Sequence, residues 1–180
     1  MKGRAKGATR PVDRPLEKTG PDEGQSGPLQ LNVDTETDGW PPAIDEAFAA
    51  RVASALAETI EIDGEASLLL SDDSHVRALN ARYRQKDRAT NVLSFLPGPG
   101  TPDGYLGDII LALETVSREA EDEAKSFDHH VAHLIVHGLL HLAGYDHESD
   151  DEAEEMEALE RDVLARIGIA DPYAEIGVTT

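Results

Sequence analysis

From residue 29 onward, the alternation of apolar and polar positions divides the chain into a succession of short strands and helices. Leu29, Leu31 and Val33 alternate with polar neighbours, the period of a half-buried strand. After Pro41 and Pro42, Ile44, Phe48, Val52, Ala55 and Leu56 share one face of a helix predicted over residues 43–59. Asp63-Gly64 turns the chain into a second strand, 67–71, whose consecutive Leu68, Leu69 and Leu70 suit a strand covered on both faces. A short helix capped by Ser71 or Asp72 then carries Val76, Leu79 and Tyr83 inward. Residues 90–95 and 107–113 read as a third and a fourth strand. Between them, residues 97–104 are too rich in proline and glycine for regular structure and either border a cleft or form a surface hairpin. Val116, Ala120 and Ala124 predict a helix over 114–126, and Met156, Leu159, Val163 and Ile167 a last one, capped by Ser149 or Asp150 and stopped near Gly168.

The helix between these two carries the chemistry. It is expected over 128–143, with Asp128 as N-cap and Gly144 as the residue that ends it in the left-handed region. Val131, Leu134, Ile135, Leu139 and Leu142 cover one side, and Val136 and Leu140 most of the remainder, so the helix is buried nearly all round. His133, His137 and His141 form the remaining strip. Six of the seven histidines fall within residues 128–147, a concentration that a core alone does not require. The strip faces either a satisfied polar network or a ligand.

The spacing favours the ligand. His137 and His141 stand at i and i+4, so both rings reach one point, and Gly144 lets the chain reverse and return His147 to it. His-x3-His-x2-Gly-x2-His matches the histidine and glycine positions of the metzincin motif, but the glutamate expected after the first histidine is Gly138 here. Three imidazoles leave a further position open, the catalytic form of a zinc site. Zinc is therefore the default cofactor, one per chain, although imidazole also accepts other divalent transition metals. His133, one turn before His137, reads as a histidine behind the ligands or in the core rather than a fourth ligand, which would close the site. Asp146 is open between orienting a histidine, acting as a base and merely forming a turn. His129 and His130 are expected to be exposed at the helix start, and His75 stands alone in a polar helix.

Composition narrows the possibilities further. A chain of 180 residues, 39% of them apolar, has room for one ordinary core, which assigns residues 28–180 to a single domain. With no cysteine, a metal must be held by His, Asp or Glu. No apolar run approaches the roughly 18 residues of a membrane span, so a soluble, cytoplasmic protein with neither membrane nor disulfide partner is expected. Residues 1–27 contain eight Gly or Pro and almost no apolar periodicity, and read as a disordered N-terminal extension. The net charge of −20 argues at first against a nucleic-acid partner, but its distribution is polarised. Arg77, Arg82, Arg84, Lys86 and Arg88 lie within twelve residues opposed by Asp87 alone, whereas residues 146–162 carry ten acids and one base.

Several separated motifs resemble the YbeY family of metal-dependent endoribonucleases. They are His137-Gly-Leu-Leu-His141-Leu-Ala-Gly-Tyr-Asp-His147; Tyr83-Arg84-Gln85-Lys86-Asp87 with Thr90-Asn91-Val92-Leu93-Ser94-Phe95; Leu106-Gly107-Asp108-Ile109-Ile110; residues 150–156; and the closing Asp171-Pro172-Tyr173. The resemblance spans roughly residues 29–173. Leu96 departs from it, since the family usually runs from the phenylalanine straight into proline; the departure is expected to touch a loop and leave the site alone. The resemblance implies an α+β, zincin-like domain with a small mixed sheet of about four strands packed by about five helices. It implies cleavage of single-stranded RNA, in maturation of the 16S ribosomal RNA 3′ end and in ribosome quality control, with the small ribosomal subunit and its assembly factors as partners.

Arg84 is the candidate catalytic cation, since guanidinium grips two phosphate oxygens in a planar fork. The alternative for it is an ion pair with the acidic last helix. Lys86 and Arg88 read as substrate-holding residues or as solvated charge. Two rival functions remain: a ribosome-assembly or RNA-binding factor with a structural metal, and a metzincin-like protease, against which Gly138 speaks because it has no carboxylate to act as base.

Overall fold

The computed structural model describes residues 28–174; the expectation for residues 1–27 lies outside them. A four-stranded sheet is built from β1 (Gln30–Thr35), β2 (Glu65–Ser71), β3 (Val92–Phe95) and β4 (Tyr105–Ala112), in the order β1-β2-β4-β3. β1 and β4 each run parallel to β2, whereas β3 runs antiparallel to β4. The mixed pattern follows from the connections. The helix α1 (Glu46–Ala57) joins β1 to β2, and α2 (Asp73–Arg84) leaves β2. The proline- and glycine-rich segment returns the chain beside β3 as a surface hairpin. Gly107 is required where β4 passes β3: at φ 134°, a Cβ there would lie 2.2 Å from the Phe95 carbonyl oxygen.

α3 (Leu113–Asp122), α4 (Phe127–Leu142) and α5 (Asp150–Arg166) complete the α+β fold. α4 is the element the others enclose, packing against β3, β4, α1, α3 and α5. Its Ile135, Leu139 and Leu140 are completely buried, with Leu56, Leu68, Leu70, Ile109 and Leu111 around them. Each such side chain contributes about 1.5–3 kcal/mol relative to exposure. The histidine strip is thereby fixed on a rigid axis.

Local departures from the sequence reading have local causes. α1 starts at Glu46, because Asp45 rather than the proline pair supplies the cap, accepting from the Phe48 amide. α4 starts at Phe127 with Ser126 in the cap position, and Asp128 lies in the first turn, where a carboxylate is favoured by the helix dipole. Phe127 packs against Trp40, ring centroids 5.8 Å apart, which draws the helix back one residue. Leu113 belongs to α3, not to β4. Ala124 lies beyond α3 in a left-handed conformation and is exposed. Tyr83 does not point into the core: α2 has outrun the sheet there, and the ring rests on Phe95, the last residue of β3. At α5 the capping box is complete, with Ser149 and Glu152 each accepting from the other's backbone amide.

Candidate metal centre

α4 presents His137 and His141 one turn apart at its C-terminal end, and Gly144, at φ 96°, turns the chain so that His147 comes back beside them. One nitrogen from each of the three rings lies within 4.8 Å of the others. His147 stacks on His137 with centroids 5.6 Å apart and meets His141 edge-on at 5.1 Å.

Hydrogen bonding behind the rings decides which nitrogens face one another. His141 Nδ1 lies 3.0 Å from the Tyr145 carbonyl oxygen, which can only accept, so Nδ1 carries the proton. His137 Nδ1 lies 2.6 Å from Glu160 Oε1. Glu160 is completely buried. Burial pushes its carboxyl up, but hydrogen bonds from His133, His137 and Tyr173 outweigh that and hold it at about 2, so it too accepts. Both Nε2 atoms are then lone-pair donors, yet they stand 3.1 Å apart. With both rings neutral, no proton lies between them to bond. Two nitrogens bound to one zinc at about 2.0–2.1 Å are separated by about 3.3 Å, and a shared cation resolves the conflict. Burial, followed by the neighbouring His137 and His147, lowers the His141 pKa and favours the neutral, ligating imidazole. The donor set fits a borderline-soft divalent metal, which His137, His141 and His147 would hold.

The other histidines are placed differently. His133 Nε2 lies 2.9 Å from Glu160 Oε2, so His133 braces the carboxylate that braces His137. His130, expected at the surface, is 4% exposed, because that side of α4 meets α3, where Glu119 accepts from Nε2 at 2.8 Å. His75 is held by Glu36 at 2.6 Å and by Ser71 at 3.0 Å. Asp146 lines the cleft and accepts from the His147 amide at 2.8 Å.

Glu160 was not singled out by the sequence, and Tyr173 entered only as part of the closing motif, with no role assigned. Tyr173 donates to Glu160 Oε2, and burial together with that carboxylate raises its pKa and keeps the phenol protonated. Asp171 positions it by accepting from its amide at 2.8 Å. A signal for Glu160 was present: it lies with Met156, Val163 and Leu164 on the buried face of α5, an acid inside an apolar stripe.

The three rings open into a cleft of about 580 Å3, shared with Arg84, Asn91, Ser94, Leu96 and Tyr145. Leu96 thus borders the site it was expected to leave alone. Arg84 Nη2 lies 3.3 Å from the Ser94 carbonyl oxygen, and among the described residues no acid of α5 pairs with it. Lys86 and Arg88 are exposed on the turn after α2. Buried Asn80 shapes that turn by donating to the Arg88 carbonyl at 2.9 Å and by accepting, through its own carbonyl, from the Lys86 amide at 3.2 Å.

Gly138 has a packing reason. It is where α4 approaches β4, and a Cβ there would meet three Ile109 carbons at 3.0–3.1 Å. The glutamate of a metzincin has no room. Gly138→Ala is expected to lower stability by about 1–3 kcal/mol, measured by urea unfolding. An unchanged midpoint would show that Ile109 yields freely.

The fold and site together define an α+β protein with a cluster of three histidines that could hold a metal ion, open to a cleft that Arg84 also lines. Residues 32–168 match the family described as Endoribonuclease YbeY. Relatives bearing that name include one from Rhodopseudomonas palustris, 52% identical over 77% of this chain and 78% of its own. Another, from a Chelativorans species, is 48% identical over 84% and 99%, and a third, from Rhizobium meliloti, is 45% identical over 82% and 96%. The solution structure of TM1509 from Thermotoga maritima has the same fold, with a TM-score of 0.53 and 24% identity over 81% of this chain and 99% of that one. The chain belongs to the Endoribonuclease YbeY family.

Proposed function

We propose that this protein is a metal-dependent endoribonuclease that cuts single-stranded RNA, with His137, His141 and His147 as ligands and zinc as the metal. The observation that carries the reading is the pair of imidazole lone pairs 3.1 Å apart, facing a cleft that also contains Arg84. When bound there, the metal supplies Lewis acidity and makes water acidic enough to attack near neutral pH. The chain's own residues do the rest. Glu160 and the Tyr145 carbonyl hold the ligating tautomers, with His133 bracing Glu160. Arg84 offers a planar pair of donors to the charge that grows on the phosphate oxygens during phosphodiester cleavage. Lys86 and Arg88 hold the strand through its phosphates. Asp146, at the mouth of the cleft, orients His147 through the backbone.

Membership of the family supports an RNA substrate. By resemblance we assign that substrate to ribosomal RNA, at the 16S 3′ end and in ribosome quality control, with the small subunit and its assembly factors as partners in the cytoplasm. No helix among the described residues is long and apolar enough to cross a membrane.

The test compares cleavage of single-stranded RNA, structured RNA and casein by the unsubstituted protein and by Arg84→Ala. The expected result is metal-dependent cleavage of single-stranded RNA alone, lowered about 100- to 1000-fold in Arg84→Ala with zinc affinity unchanged. Undiminished cleavage in the variant would remove Arg84 from the chemistry. Tight RNA binding without metal-dependent cleavage would favour an assembly factor with a structural metal.

A further inference from the structure

Beside the cleft, the end of α2 exposes apolar surface that contributes little to the core. Tyr83 is 58% exposed and Leu96 69%. Tyr83 meets the Phe95 ring edge-on with centroids 5.4 Å apart, and Leu96, the residue after Phe95, lines the cleft with Arg84, His141 and His147. Arg82 lies over the Tyr83 ring, its Cζ 5.1 Å from the centroid.

The surrounding charge indicates the occupant. In a chain of net charge −20, half of the ten bases after residue 27 fall between Arg77 and Arg88. Asp87, the acid among them, is taken up by Arg77 at 2.8 Å. Among the described residues, Arg82, Arg84, Lys86 and Arg88 make no ion pair. A flat aromatic ring set among unneutralised cations at the edge of a cleft is complementary to a polyanion carrying flat, apolar groups.

We propose that Tyr83 is a stacking platform for an unpaired base of single-stranded RNA, while Arg84, Lys86 and Arg88 hold the adjoining phosphates. This rests on the RNA-cleaving reading of the cleft and adds how a single strand is told from a duplex. A base inside a duplex has both faces covered by its neighbours, whereas an unstacked base can lie against Tyr83.

The experiment measures binding apart from cleavage, in full-length protein carrying His141→Ala. Fluorescence anisotropy follows a labelled single-stranded oligoadenylate, and a strand of equal length in which abasic sites replace the bases. Tyr83→Ala is expected to weaken binding of the oligoadenylate by about 5- to 100-fold and to leave the abasic strand unaffected. Tyr83→Phe, which keeps the ring and loses the hydroxyl, is expected to bind like tyrosine. Equal loss on both strands, or loss on neither, would overturn the platform. So would a dimer, seen by light scattering, that Tyr83→Ala dissolves, since the patch would then join copies of the chain. Cleavage by protein with His141 intact is followed in parallel, so a protein that stacks bases but cuts nothing refutes the nuclease reading and not this one.

Discussion

His141→Ala is expected to lower RNA cleavage by about a thousandfold or more while the protein stays folded. His141 stands at the centre of the proposed metal site: its Nε2 faces His137 Nε2 at 3.1 Å, and its ring contacts those of both other proposed ligands. A metal ion offsets several kcal/mol of charge in the transition state, and about 4 kcal/mol corresponds to a thousandfold in rate. The side chain is only partly buried and makes a single hydrogen bond to the backbone, so its loss costs the fold little. Cleavage of a fluorescent single-stranded RNA, zinc affinity by chelator competition and thermal unfolding separate these effects. Full activity with zinc affinity unaltered would remove the three histidines as the metal centre.

The second large effect is expected at Glu160, and it falls on stability. Its carboxylate is buried and accepts from His137, His133 and Tyr173. Glu160→Ala strips these donors of their acceptor and leaves a hole, which is expected to cost about 3–5 kcal/mol and to lower Tm by roughly 10 °C. Glu160→Gln keeps the volume, but its amide cannot accept from all three donors. Zinc affinity is expected to fall about 10- to 100-fold as His137 loses its fixed tautomer. The carboxyl sits at about 2 in the folded protein, below its ordinary 4.5, so its contribution to stability is complete above pH about 4.5 and is lost as the pH falls toward 2. Urea unfolding across that range should show this loss in the unsubstituted protein and a shallower dependence in Glu160→Gln. Parallel curves would mean that the carboxylate is not ionised in the fold.

The two residues differ in how far each could be read from the chain. His141 was legible because a helix repeats and a metal needs convergence: i, i+4 and a glycine before the third histidine specify the geometry without any knowledge of the sheet. The four strands and five helices were legible for the same local reason. Glu160 was not, since its partners stand 23 and 27 residues earlier, on another helix, and the acids flanking it concealed one that turns inward. Tyr83 failed in the opposite sense. Helical spacing set it on the face of Val76, but which part of that face a sheet covers depends on where β3 ends, and this is a property of the assembled fold. His130 was misread because its acceptor, Glu119, belongs to α3.

The bracing of His137 by Glu160 and Tyr173 has a consequence for the order of events in synthesis. His137 leaves the ribosome before Glu160, which fixes its tautomer, and before Tyr173, which donates to that carboxylate. A partly made chain therefore carries His137 without the support that readies it for an ion. The support behind His137 is complete only when α5 and Tyr173 have docked, so this part of the site is among the last to be assembled.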